Sequence, residues 1–285
     1  MEFLHLKGVS YKYSGIGASP QPVLRDITLS LGQNECVAIV GHSGSGKTTL
    51  IQHFTGLLKP ISGQIFFNDA NIWAKSFRKS LLRRKIGLVF QFPETQLFEE
   101  TVGKDIAFGP RNLGLAEDDI AQRVESAMLA LELDPHRFRD RSPFHLSEGE
   151  KRRVAIAGVL AMQPDMIVFD EPTAGLDPKS VGRFIATVRR LIDGGKAVVL
   201  VTHNMDFVAE VADRVIALRA GQLVFDGHPG DLFTNRERLR DIGLERPAIM
   251  DALESTSGRG DSWQGVYSFR EFESRVKKIA HSGDL

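Results

Sequence analysis

The stretch Val37-Ala-Ile-Val-Gly-His-Ser-Gly-Ser-Gly-Lys-Thr48 decides how this chain is read. An apolar run leads straight into G-x-x-x-x-G-K-[ST]. Glycines at 41, 44 and 46 let the backbone curl until successive N–H groups point inward, where they can bind phosphate oxygens at the start of a helix. Lys47 then supplies a point charge to the β- and γ-phosphates, and the Thr48 hydroxyl a ligand for Mg²⁺. A Gly/Ser-rich turn before a helix is the plainer alternative. The strand-like residues before it and the helical Thr49–Leu57 behind it favour the phosphate cradle. By itself the motif specifies nucleotide binding and nothing more.

Further along, Met166-Ile-Val-Phe-Asp-Glu171 is an apolar run that ends in two carboxylates. An Asp at the carboxyl end of a strand can reach Mg²⁺, commonly through water, and an adjacent Glu can orient or deprotonate an attacking water. An acidic exit from a strand into a turn fits the same residues, with Pro172 next. Between the two motifs, Leu146-Ser-Glu-Gly-Glu-Lys-Arg-Arg153 opens a helical segment, and Ser147 and Glu150 have the S-x-x-E spacing of a capping box. Capping leaves room for a second use, because a capped helix start with Gly149 at its mouth is also a preformed phosphate-binding end.

Short apolar runs near 36–40, 86–90, 166–170 and 197–202 read as strands buried on both faces of a parallel sheet. Helical patterns separate them. In 117–133, Ile120, Val124, Ala127, Met128 and Leu131 recur at helical spacing behind an acidic first turn, Glu117-Asp-Asp119. The alternation predicts an α/β fold with a largely parallel core, and the helix-rich interval from about 92 to 163 reads as an insertion between two strands. Residues 254–262, Glu-Ser-Thr-Ser-Gly-Arg-Gly-Asp-Ser, read as a polar linker. The amphipathic segment around Phe269–Ile279 fits a docked terminal helix, a partly ordered tail or a dimer contact.

Composition narrows the class. Lys+Arg and Asp+Glu both number 36, so no global field attracts polyanions, which argues against a nucleic-acid partner. The composition, 42 % hydrophobic and 25 % charged, is that of an ordinary globular protein and excludes disorder over most of the chain. A single cysteine, Cys36, leaves no intrachain disulfide and no Cys-based structural zinc site, which suits a reducing compartment. Met1–Ser10 lacks an export pattern, and no apolar stretch approaches the roughly 18 residues that cross a bilayer. The expectation is a chain that does not itself span a membrane.

The order of these elements resembles the ATP-binding-cassette (ABC) ATPases over about residues 1–230. The resemblance implies a P-loop NTPase fold: a mostly parallel core sheet, an antiparallel β subdomain and an inserted helical subdomain. It implies an ATPase domain over 1–245 and a C-terminal extension over 246–285. ATP would be held by Gly41, His42, Ser43, Gly44, Ser45, Gly46, Lys47, Thr48 and Thr49, with Tyr13 under the adenine and Tyr11 as a neighbour of the same type. Gln91 stands at the Q-loop, Ser147, Gly149 and Glu150 in the signature, and Asp177 in the D-loop Gly175-Leu-Asp177. Mg²⁺ would be held by Thr48, Gln91 and Asp170, while Glu171, the switch histidine His203 and Lys47 carry the hydrolysis. Read singly, Gln91 also fits a surface polar residue, Asp177 a turn residue before Pro178, and His203 a helix cap.

Gln91-Phe-Pro-Glu-Thr-Gln-Leu-Phe-Glu-Glu-Thr-Val102, with Asp105-Ile-Ala-Phe-Gly-Pro110, resembles more specifically the ATPases of energy-coupling-factor transporters, which include the cobalt and nickel uptake ATPases. The implied partners are a second ATPase, identical or merely similar, a transmembrane coupling subunit and a substrate-binding membrane subunit. The implied place is the cytoplasmic face of the membrane. Phe92, Leu97 and Phe98 are expected to line the groove for the coupling subunit, with burial in the core as the alternative. A conventional ABC importer or exporter and an ATP-gated clamp are the rival readings. The signature departs from L-S-G-G-Q at Glu148 and Glu150, whose charges would repel phosphate unless turned aside or offset by Lys151, Arg152 and Arg153.

Overall fold

Burial separates two kinds of strand. β1 (Leu4–Tyr11) and β2 (Leu24–Leu31) mix buried with more exposed positions, whereas β3 (Cys36–Val40) is buried throughout. One-faced burial suits an antiparallel sheet, and burial on both faces a parallel one. After α1 (Lys47–Phe54), β4 (Ser62–Phe67) and β5 (Ala70–Asn71) complete an antiparallel sheet of order β2-β1-β4-β5. The computed structural model describes residues 3–14, 21–256 and 263–282.

α2 (Lys79–Lys85) leads into β6 (Ile86–Val89). Helices fill the interval before the next strand: a 3-10 turn Pro93–Gln96, α3 (Val102–Asn112), α4 (Glu117–Ala130), α5 (Pro135–Phe138), a second 3-10 turn Pro143–His145, and α6 (Glu148–Leu160). The chain then alternates through β7 (Met166–Asp170), α7 (Pro178–Asp193), β8 (Ala197–Val201) and α8 (Met205–Val211). β9 (Arg214–Arg219) and β10 (Gln222–Gly227) form a hairpin, followed by α9 (Pro229–Phe233), α10 (Arg236–Asp241), α11 (Ala248–Thr256) and α12 (Phe269–Ser282).

The second sheet has the order β10-β9-β3-β8-β7-β6 and is parallel except for the β9–β10 hairpin. Its strands divide their side chains between the two faces of the sheet, as the period of a strand requires. Val37, Ile39, Val168 and Val199 join the antiparallel sheet, while Ile167, Phe169, Val198 and Leu200 face α3, α4, α6 and α7. Ala38 and Val40 pack with Leu232 and Phe233 of α9.

Local readings from the sequence shift at their edges. α1 stops at Phe54 rather than Leu57, because Gly56 turns the chain at φ 66. Residues 254–256, expected in a linker, complete α11; residues 257–262 lie outside the described residues. α12 sits against α8, where the Arg270 N–H donates to Glu210 Oε1 at 3.2 Å. Among the described residues, no helix is long and apolar enough to cross a membrane.

Candidate nucleotide site

Parallel strands place their following loops at one edge of the sheet. Ile39 of β3 and Asp170 of β7 both pair with Val201 of β8, so Gly41, Glu171 and His203 emerge at nearly the same level. Gln91 follows β6 on that edge, two residues past Val89, the partner of Phe169, and is exposed.

The loop Gly41–Gly46 is shaped by close approach. A Cβ on Gly41, at φ 142, would lie 2.3 Å from the Leu218 carbonyl oxygen, so no larger residue fits. Gly44, at φ 77, has open space where a side chain would start. Among the described residues the Ser45 hydroxyl, which is buried, has no hydrogen-bond partner, while His42, Ser43 and Gly44 are exposed along the rim. Lys47 Nζ donates to the carbonyls of Gly41 at 2.7 Å and His42 at 3.0 Å, folding the ammonium back over the loop. Burial depresses the Lys47 pKa, and the negative charges of Glu171 and Asp170 pull against that.

Beside this loop the Thr48 hydroxyl donates to Asp170 Oδ2 at 3.0 Å. Burial raises the Asp170 carboxyl above the usual range, with Thr48 opposing and the Glu171 charge adding to the rise. A hydroxyl and a carboxylate are hard oxygen donors, and Mg²⁺ usually takes one or two carboxylates plus substrate phosphates rather than an all-protein cage. The donor set therefore fits that ion. Among the described residues no group of three or more His, Cys, Asp or Glu side chains could hold a metal.

Glu171 sits in the left-handed region at φ 47, held by its own N–H on the Val201 carbonyl at 2.8 Å. A non-glycine residue there is strained, and such strain concentrates at functional sites. Its carboxylate meets His203 Nδ1 at 3.0 Å; the glutamate side chain is 15 % exposed and the histidine 71 %. The helix-cap reading of His203 fails, since Asn204 caps α8. Asp177 does cap α7, accepting from the N–H groups of Lys179 and Ser180.

Tyr13 lies beyond the end of β1, and its hydroxyl meets Thr49 Oγ1 at 3.0 Å on the first turn of α1. Tyr11 and Tyr13 touch edge to face at 5.1 Å, but Tyr11 packs into the core against His53 while Tyr13 is 44 % exposed. Of the pair, Tyr13 is the one with a free ring surface beside the loop.

α6 starts with both halves of the capping box. The Ser147 N–H and hydroxyl each donate to Glu150 Oε2 at 2.8 Å, and the Glu150 N–H donates back at 3.4 Å. Glu150 is thereby turned onto its own helix end, and Glu148 pairs with Lys151 at 2.8 Å. Gly149 faces open space. Arg152, expected to offset these carboxylates, points elsewhere: it is buried against Glu94. No local pattern marks that pairing, which spans 58 residues.

A groove of about 470 Å³ opens between the inserted helices and α2, lined by Arg83, Leu97, Phe98, Phe108, Val154 and Met162. Phe98 and Phe108 meet edge to face at 4.8 Å and remain exposed. Phe92 is not part of this lining. At φ 53 it turns its ring to within 4.0 Å of the point where a side chain on Gly175 would begin.

Comparison with known proteins gives the family. The ABC transporter model matches residues 24–174. Over 278 residues the chain is 41 % identical to the energy-coupling factor transporter ATP-binding protein EcfA2 of Clostridium tetani, covering 97 % of this chain and 96 % of that one. A solved structure of cbiO1 from Clostridium perfringens, part of the ABC transporter complex cbiONQ, matches with a TM-score of 0.74 and 36 % identity over 89 % of this chain and 99 % of that one. A dimeric ATP-binding cassette in a post-hydrolysis state with ADP and Pi matches at 0.68 and 27 % identity, over 79 % and 98 %. Sequence, fold and site agree that the chain belongs to the ABC transporter ATPases and, within them, to the energy-coupling factor transporter ATP-binding subunits, which hydrolyse ATP to drive transport.

Proposed function

We propose that this chain is one half of a head-to-tail ATPase pair at the cytoplasmic face of the membrane, powering uptake of a vitamin or a transition-metal ion. The observation that carries the reading is the convergence, on one sheet edge, of the phosphate loop with the Thr48–Asp170 and Glu171–His203 pairs. Residues 1–245 form the ATPase domain and 246–285 a C-terminal extension. ATP lies on Gly41–Thr49 with its adenine against Tyr13. Lys47 leaves the carbonyls of Gly41 and His42 and turns to the phosphates, where loop N–H groups complete the cradle.

Thr48, Asp170 and Gln91 hold Mg²⁺, which when bound supplies positive charge against the phosphates. Glu171 orients the attacking water and accepts its proton, and His203, bonded to Glu171, steadies the γ-phosphate. The start of α6 in one protomer, Ser147–Glu150, closes over the loop of the other and excludes water, with Asp177 near the join. Closure thus requires nucleotide, and hydrolysis reopens the pair.

The groove of Leu97, Phe98 and Phe108 receives cytoplasmic helices of a transmembrane coupling subunit, which works with a separate substrate-binding membrane subunit. The test is purification of the tagged chain from membranes, followed by reconstitution in vesicles. The expected result is a complex of two ATPases with both membrane subunits that takes up a vitamin or metal ion when ATP is added. Recovery with a second ATPase and no membrane protein would overturn it in favour of a clamp. Recovery with a permease fed by a soluble binding protein would favour a conventional importer.

A further inference from the structure

Arg152 lies one turn into α6, behind the signature, and its side chain is 9 % exposed; that of Glu94 is 8 % exposed. The guanidinium grips the carboxylate with both edges, Nε to Oε2 at 3.1 Å and Nη2 to Oε1 at 3.0 Å. Its remaining nitrogen, Nη1, donates to the carbonyls of Pro172 at 3.2 Å and Ala174 at 3.0 Å. A planar fork bound on three sides fixes the relative positions of what it holds.

What it holds are two segments with different duties. Glu94 sits in the turn Pro93–Gln96, between Gln91 and the groove residues Leu97 and Phe98. Pro172–Ala174 follows Glu171 directly, and the Ala174 N–H returns to the Glu171 carbonyl at 3.1 Å. Three residues further on is Asp177. Burial would raise the Glu94 pKa, but the Arg152 hydrogen bonds and charge outweigh it and hold the carboxylate ionised. Buried ion pairs are weak devices for stability and are best attested as devices for register.

We infer that Arg152 is a positioning residue that ties the groove-lining turn at Glu94 to the loop behind Glu171, so that occupation of the groove sets the aim of the hydrolytic carboxylate. The inference rests on the groove being the docking site of the coupling subunit. A displaced turn at Glu94 drags the fork, and the fork drags the carbonyls of Pro172 and Ala174. Nucleotide affinity is untouched, since neither residue reaches the phosphate loop.

The experiment measures ATP hydrolysis by the full complex and by the ATPase pair alone, for the parent, Glu94→Gln, Arg152→Lys and the double variant. The expected result is a loss of about tenfold in stimulation by the membrane subunits, seen in kcat, a change typical of couplings between sites. KM for ATP should stay within about twofold. The double variant should lose no more than the worse single one, because both act through one contact. Full stimulation in either folded variant, a loss confined to KM, additive losses, or failure of Glu94→Gln to fold would overturn the inference. A parent that the membrane subunits do not stimulate would sink the docking reading as well, whereas a stimulated parent with indifferent variants sinks this inference alone.

Discussion

Single residues at the site are held by opposing demands, and the opposition makes them testable. Glu171 is aimed by its strained backbone and by His203, so Glu171→Gln keeps the shape and the hydrogen bond while removing the proposed base. Hydrolysis should fall by about 10²–10⁴-fold, the usual worth of a general base, with ATP still retained. Phosphate release together with nucleotide retention on the purified complex would check this; turnover near the parent's would assign the proton to another group. Asp170 offers the converse trade. Its folded pKa is raised by burial, so its favourable contribution to stability is complete below the unfolded value near pH 3.9 and disappears as pH rises through the folded value. At neutral pH its ionisation therefore works against the nucleotide-free fold. Asp170→Asn should raise the melting temperature at pH 7 by a few degrees, about 1 kcal/mol, and the gain should vanish near pH 3, while hydrolysis is lost. Melting curves at the two pH values decide it. These carboxylates were legible in the sequence because a strand and its exit are local. The contacts of Glu171 with His203 and of Thr48 with Asp170 were not, since they join residues 32 and 122 positions apart.

At the scale of an element, α6 shows where local spacing suffices and where it stops. The S-x-x-E pattern fixes the helix start, and both reciprocal bonds form. The same helix carries Arg152 inward to Glu94, and nothing in a run of three basic residues distinguishes the buried one from its neighbours. The cap keeps the charge of the unusual signature in place. Glu150 accepts from the Ser147 main chain and hydroxyl, which holds its pKa down, so it stays charged close to where the other protomer's phosphates would arrive. Glu150→Gln retains an acceptor for Ser147 and removes that charge. Its effect on melting should be within about 1 kcal/mol, the scale of a cap. The nucleotide-closed pair should form at several-fold lower ATP, as expected when a like charge is removed. Light scattering during an ATP titration measures this, and an unchanged midpoint would mean that the carboxylate lies away from the phosphates in the closed pair.

Across the whole molecule, the alternation of apolar runs made the parallel sheet legible, but not its strand order. The order β3-β8-β7-β6 comes from crossover connections, and β3 pairs with a strand far along the chain, Ile39 with Val201. The lining of the groove was legible only in part for the same reason: Leu97 and Phe98 stand in one segment, while Phe108, Val154 and Met162 reach it from α3, α6 and the chain just beyond α6. Phe92, close to Phe98 in sequence, turned instead toward Gly175 because its backbone enters the left-handed region. Phe98 is 56 % exposed and lies against Phe108, away from the phosphate loop, so an aspartate there adds a solvated charge without opening a core cavity. Inside an apolar contact with a partner helix the same charge would be desolvated, costing several kcal/mol. Phe98→Asp should therefore fold, bind ATP with parental affinity and lose both assembly with the coupling subunit and uptake by about tenfold or more. Co-purification and vesicle uptake, measured beside nucleotide affinity, distinguish the outcomes: parental uptake would move the docking surface elsewhere, and weakened ATP binding would show that the groove and the nucleotide site are not separable.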